Sequence, residues 1–298
     1  MIRVGPAGWS YRDWAGPVYP TPKPRGFDPL AYLAGYFDTV EINSTFYRPA
    51  ARSAAEQWIA RVADAERFRF TAKLWRRFTH EREEAFTRDE VAEVREAMDV
   101  LHGAGRLGAL LLQFPWSFRR TDESRQWLDD VTRAFRDFPL VLEVRHESWN
   151  VPELYRELAE RAIGFVNIDQ PLFKRSIKPS ARATSAVGYV RLHGRNYEEW
   201  FREGAGVEAR YDYLYSNEEL DPWVERAQAV DALATETFVI TNNHFGGQAV
   251  ANALMIKAKV ERHPVAAPPP VVATFADLLS GLAEATPQPA PPRASRRR

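Results

Sequence analysis

Apolar positions in the chain fall in short, nearly continuous runs that alternate with longer amphipathic stretches. Eight runs have strand character: IRVGPA (2–7), TVEI (39–42), FRFTAKL (68–74), LGALLLQF (107–114), LVLEVR (140–145), IGFVNID (163–169), GYVRLH (188–193) and TFVIT (237–241). Several lack polar alternation, as strands covered on both faces must. Helices are expected between them at 53–63, 87–104, 123–135, 152–161, 222–234 and 248–260. Thr87 with Glu90 three residues on, ahead of an apolar-periodic stretch, has the form of a capping box. Eight strands separated by helices over about 250 residues predict an α/β protein, a single (β/α)8 TIM barrel. A doubly wound open sheet is the competitor, but no Gly-rich phosphate loop follows any strand.

Two crossovers are irregular. Residues 170–187 have no helical periodicity and are expected as a long loop, and residues 197–220 should build over the barrel mouth. From Pro264 on the chain is rich in Pro and Ala and ends in RASRRR. Such a composition is not expected to form a packed core, apart from one short helix at 274–283. The predicted division is therefore a barrel domain at 1–263 and a flexible basic tail at 264–298.

Composition narrows the functional classes only modestly. Forty Lys and Arg balance forty Asp and Glu, so bulk charge gives no long-range attraction to DNA or to an anionic membrane. There is no cysteine, which excludes disulfides, thiolate zinc sites and a thiol nucleophile. No leader pattern opens the sequence, and no apolar run approaches the roughly 20 residues that span a bilayer. A soluble, cytoplasmic protein is expected.

In a barrel of this kind the site is built from the C-terminal strand ends and the loops after them. In order, those ends carry Trp9 and Tyr11, then Glu41, Asn43 and Tyr47, then Lys73, Gln113, and Glu143 with Arg145 and His146. Asn167 and Asp169 follow, then Arg191 and His193, and finally Asn242, Asn243 and His244. A carboxylate inside TVEIN or VLEVR costs several kcal/mol to bury unless it is paired. Charge pairing among Glu41, Lys73, Glu143 and Arg191 is the structural explanation. The functional one makes Glu41 and Glu143 acid/base groups partnered by His193 and His244, with Lys73, Arg145 and Arg191 holding an anion. Trp9, Tyr11, Asn43, Tyr47, Gln113, Asp169, Asn242 and Asn243 complete the expected ligand-binding set. In NNHFGGQ the glycine pair allows a close turn before a helix, a common place for a bound phosphate or carboxylate. Rings at Trp9, Tyr11, Trp14, Tyr19, Phe46, Tyr47, Trp75, Phe114, Trp116 and Trp149 crowd the same end. They serve either to stack sugars or bases or to pack the loops on one another.

GWSYRDWAGPVYP, VEINSTFYRP, FTAKLWRRFTH, LGALLLQFPWSF, LEVRHESW, YVRLHGRN, YSNEEL and NNHFGGQAVANA occur in that order over residues 2–260. Together they resemble the DUF72 (YecE-like) family. The resemblance implies a TIM barrel and, as a family defined by unknown function, no particular activity. GPAGW stands where the family more often has a small polar residue before the glycine, and FPWSF where a double proline is usual. Neither departure removes a charged group.

The expected function is that of an enzyme, of hydrolase or isomerase type, or a binding protein for a small anionic, sugar- or phosphate-containing ligand, with no cofactor and no resident metal. Glycoside hydrolysis is admitted by two carboxylates but depends on their separation. One alternative is a metal-dependent hydrolase or nuclease using Glu41, Glu143, Asp169, His146, His193 and His244, against which Lys73, Arg145 and Arg191 would repel a cation. The other is a non-catalytic module for nucleic acid or nucleotides, using the aromatic mouth and the basic end.

Overall fold

The computed structural model of the chain describes residues 1–198 and 210–287. Eight parallel strands form one sheet: β1 (Ile2–Pro6), β2 (Thr39–Ile42), β3 (Arg69–Lys73), β4 (Leu107–Gln113), β5 (Leu140–Glu143), β6 (Gly164–Asp169), β7 (Val187–Leu192) and β8 (Glu236–Thr241). From β2 to β8 each pairs with the next in sequence, and β8 returns to pair with β1. Between β1 and β2 a single parallel bridge, Ala7 with Glu41, closes the cylinder, and the Gly8 amide donates to the Glu41 carbonyl at 2.8 Å. The eight strands are almost wholly buried, which is why their sequences run without alternation.

At this seam β1 approaches β2 so closely that a Cβ on Gly5 would collide with the Thr39 carbonyl oxygen. Gly5→Ala is therefore expected to destabilise the fold by about 1–3 kcal/mol, as overpacking does. A denaturation midpoint equal to that of the parent would show that the seam opens freely.

The six expected helices are α3 (Arg52–Arg61), α5 (Arg88–Gly103), α6 (Asp122–Ala134), α7 (Pro152–Glu160), α8 (Asn217–Asp231) and α9 (Gln248–Glu261), and three short ones that were not expected join them, α1 (Pro29–Ala34), α2 (Ser44–Tyr47) and α4 (Arg76–Thr79). The capping box at Thr87 and Glu90 is formed in full. Helix α8 starts five residues earlier than Pro222 led one to expect. Ser216 and Glu219 make a second capping box there, and Pro222 is carried inside the helix. Residues 170–186 form no helix. The Asn167 side chain pins this loop by accepting from Ser180 Oγ (2.7 Å) and the Arg182 amide (2.8 Å) and donating to the Arg182 carbonyl (2.9 Å). Of the crossover at 197–220, residues 199–209 lie outside the described residues.

The expectation of an unpacked segment from Pro264 is corrected. Residues 265–285 form a two-stranded parallel sheet, β9 (Val265–Ala267) and β10 (Ala283–Ala285), around short helices α10 (Pro269–Thr274) and α11 (Ala276–Leu279). Val265, Ala267, Val271 and Leu279 are buried, and Tyr36 Oη donates to the Thr286 carbonyl at 2.8 Å. The reason lies in α9, in which Ala249–Ile256 are all buried. A helix apolar on every face needs cover outside as well as inside. The basic end, 288–298, lies outside the described residues. No helix among those described is long and apolar enough to cross a membrane.

Candidate functional site

Residues 189, 191 and 193 alternate along β7, so Tyr189, Arg191 and His193 point to the same side, the barrel interior, at rising levels. Arg191 is the hub. Its Nε and Nη2 grip Glu41 of β2 in a fork (3.0 and 2.7 Å), and its Nη1 reaches Glu143 of β5 at 3.1 Å. Glu41 also accepts from Tyr189 Oη at 2.9 Å. Glu143 takes Arg145 Nη2 at 2.9 Å and His193 Nε2 at 3.1 Å. The other ring nitrogen of His193 accepts from the Asn242 amide at 3.1 Å. Glu41, Glu143, Arg191 and His193 are at most 1 % exposed, so two carboxylates and one guanidinium are held out of water by mutual satisfaction.

The protonation states follow from this packing. Burial works against the charge of Arg191, but Glu41 and Glu143 overcome it and raise its pKa further. Burial also opposes ionisation of Glu143, yet His193, Arg191 and Arg145 hold its carboxyl well below the usual range. His193 is pushed down to about 3 by burial and by Arg145, so at neutral pH it donates from Nε2 and accepts at Nδ1. Lys73 is lowered to about 7, first by burial and then by Arg191, with Glu41 and Glu143 opposing.

Above this layer opens a cavity of about 1010 Å³, large enough for a sugar phosphate. Its cationic lining is Lys73, Arg76, Arg145, Arg191 and Arg210, and no Asp or Glu among the described residues lines it. Arg210 Nε is buried with no hydrogen-bond partner among the described residues. Aromatic walls come from Trp9, Tyr11, Phe46, Tyr47, Trp58, Trp116 and Tyr211. His244 stacks on Tyr11, with ring centroids 4.4 Å apart and planes 9° apart. Burial lowers His244 to about 4 against the pull of Asp13, and burial with Lys73 and Arg145 lowers His80, also in the lining, to about 3.

Of the residues expected at the site, Trp9, Tyr11, Asn43, Tyr47, Lys73, Gln113, Arg145, Arg191, Asn242 and His244 face the cavity. Glu41, Glu143 and His193 lie beneath it. Asp169 turns away to Arg195 (2.8 Å), and Asn243 donates its amide to the Tyr213 carbonyl and to Asn252 (both 2.8 Å). His146 caps a short turn through Ser148. Among the rings, Trp14, Tyr19, Phe114 and Trp149 are buried loop packing. Trp14 and Trp149 donate to the carbonyls of His244 and Phe118 (2.7 Å each). The glycine turn does adopt left-handed backbone at Gly246 and Gly247 (φ 57° and 83°). The Gly246 amide, however, already binds an anion of the protein itself, the Asp13 carboxylate, at 2.6 Å. Arg76, His80, Trp58, Arg210 and Tyr211 were not anticipated. Arg76 and His80 stand in the stretch that follows β3, where the strand-end rule points; Trp58 on α3 carries no such signal.

Among the described residues no group of three or more His, Asp or Glu side chains is arranged to hold a metal. The carboxylates such a site would use are engaged by arginines.

The whole barrel matches proteins already grouped together. The family model described as "Protein of unknown function DUF72" matches residues 3–274. The UPF0759 protein YunF of Bacillus subtilis is 29% identical over 266 residues, covering 85% of this chain and 92% of that one. A DUF72 family crystal structure from Thermotoga maritima superposes with a TM-score of 0.75 at 31% identity, covering 88% of this chain and 99% of that one. One from Enterococcus faecalis gives 0.75 at 26% identity, covering 88% and 96%. The chain belongs to the DUF72 family.

Proposed function

We propose that the cavity binds a small anionic, sugar- or phosphate-containing molecule and that the protein acts on it as an enzyme of hydrolase or isomerase type. One observation carries this reading: among the described residues five cationic side chains and no carboxylate line the cavity, and Glu41 and Glu143 are buried beneath it and neutralised. Glu41 and Glu143 then serve as positioning residues that aim Arg191 and Arg145, while aromatic walls face the ligand's ring. His80 and His244, held neutral by burial at pH 7, line the cavity as hydrogen-bonding groups for the ligand. The metal-dependent reading finds no ligand set among the described residues, and the basic end invoked for nucleic acid lies outside them.

Inorganic phosphate is the simplest probe. Arg210→Ala, combined with Arg76→Ala, is expected to weaken phosphate binding by about tenfold or more, the worth of one charged hydrogen bond. The unfolding free energy should stay within about 0.5 kcal/mol, because neither residue belongs to the buried network. Calorimetric titration giving the same affinity for variant and parent would remove the anion assignment.

A further inference from the structure

Lys73 differs from the arginines around it. It ends β3, its Nζ lies 3.2 Å from Gln113 Oε1 and 3.9 Å from the centre of the Phe46 ring, and it forms no ion pair among the described residues. Gln113 is itself fixed, its amide donating to the Phe114 carbonyl at 2.8 Å. The amine is thus set by a neutral acceptor and a ring, above a layer whose carboxylates are committed to Arg191 and Arg145. Arginine holds an anion in a fork and cannot give up its proton under these conditions; lysine can.

We propose that Lys73 is a covalent catalytic residue that forms an imine with an aldehyde or ketone group of the anionic ligand, an assignment that rests on the anion-binding reading of this cavity. The Nζ lone pair attacks the carbonyl carbon, the C=O π pair moves to oxygen, and the two amine hydrogens leave with that oxygen as water. No oxidant or reductant is needed. The ligand's charged end is held by Arg145 and Arg210 while its carbonyl meets the amine. The lowered pKa of Lys73, about 7, makes the free amine available near neutral pH.

The test uses the full chain with glyoxylate, a small anionic aldehyde, and cyanoborohydride, which reduces an imine to a stable carboxymethyl-lysine. Peptide mass spectrometry compares Lys73 with the chain's other lysines, at 23, 174, 178, 257 and 259. Lys73 is expected to react at least about tenfold faster, since an ordinary lysine near pKa 10.4 offers little free amine at pH 7, and inorganic phosphate should slow it. Lys73→Arg should lose the fast adduct without making any other lysine fast. Modification of Lys73 no faster than the other lysines, with phosphate binding intact, overturns the imine and leaves the anion site standing. Absence of both phosphate binding and fast modification overturns both.

Discussion

Replacing Arg191 by methionine is expected to lower the unfolding free energy by about 3–5 kcal/mol at pH 7, the cost of leaving a buried charge without its partner. Methionine fills similar space, so the loss measures the stranded carboxylates rather than a void. Glu41 loses its fork, and Glu143 keeps only Arg145 and His193. The pH dependence separates this cause from simple loss of packing. In the parent, the Glu143 carboxyl is lower in the fold than the ordinary 4.5. Its contribution is therefore complete above that value and is lost as the pH falls below it. In the variant the stranded carboxylates are relieved by protonation, so the two stability curves should converge on acidification. Chemical denaturation at pH 7, 5 and 4 checks this. A loss under about 1 kcal/mol at pH 7, or a gap that widens in acid, would show that Arg191 is not the hub.

Mild acid should weaken the parent protein steeply. Burial lowers His80 and His193 from 6.5 to about 3 and His244 to about 4. All three are therefore neutral in the fold at pH values where the unfolded chain binds protons. For groups lowered in this way, stability is complete above about pH 6.5 and falls as the pH drops towards the folded values. Three protons taken up on unfolding correspond to about 4 kcal/mol per pH unit near pH 5. Unfolding free energies measured between pH 7 and 5 should steepen towards this slope, and His244→Asn should remove about a third of it. A flat profile over that range would mean that the imidazoles are charged in the folded protein.

The strand pattern was legible because each barrel strand is covered on both faces, so burial wrote itself into nearly continuous apolar runs. The charged strand ends were legible for a related reason: Glu41 within TVEIN stands out against neighbours that leave it no route to water. Their grouping was not. Sequence alone could not tell that Arg191 takes both carboxylates and leaves Lys73 to Gln113, because partners on β2, β5 and β7 are far apart in the chain and meet only through strand tilt and register. Asp169 and Asn243 look like cavity residues from their positions, but neighbouring loops capture them first. At the glycine turn the conformation was read correctly, while its occupant, Asp13, comes from the first loop after β1. Helix α1 was overlooked although Asp28 and Pro29 form an ordinary start signal for it.

The cover over α9 bears on how this protein can be shortened. Asn252 of that helix holds both the Tyr215 backbone and Asn243 in place, and Lys257 reaches the Tyr36 carbonyl at 2.7 Å. Stripping away everything after 263 would wet the outer flank of α9 and loosen its grip on the loop beneath the mouth. A trimming designed to ask what the arginine-rich terminus does should therefore begin beyond 287, where it removes charge and keeps β9, β10 and the cover over α9 in the chain.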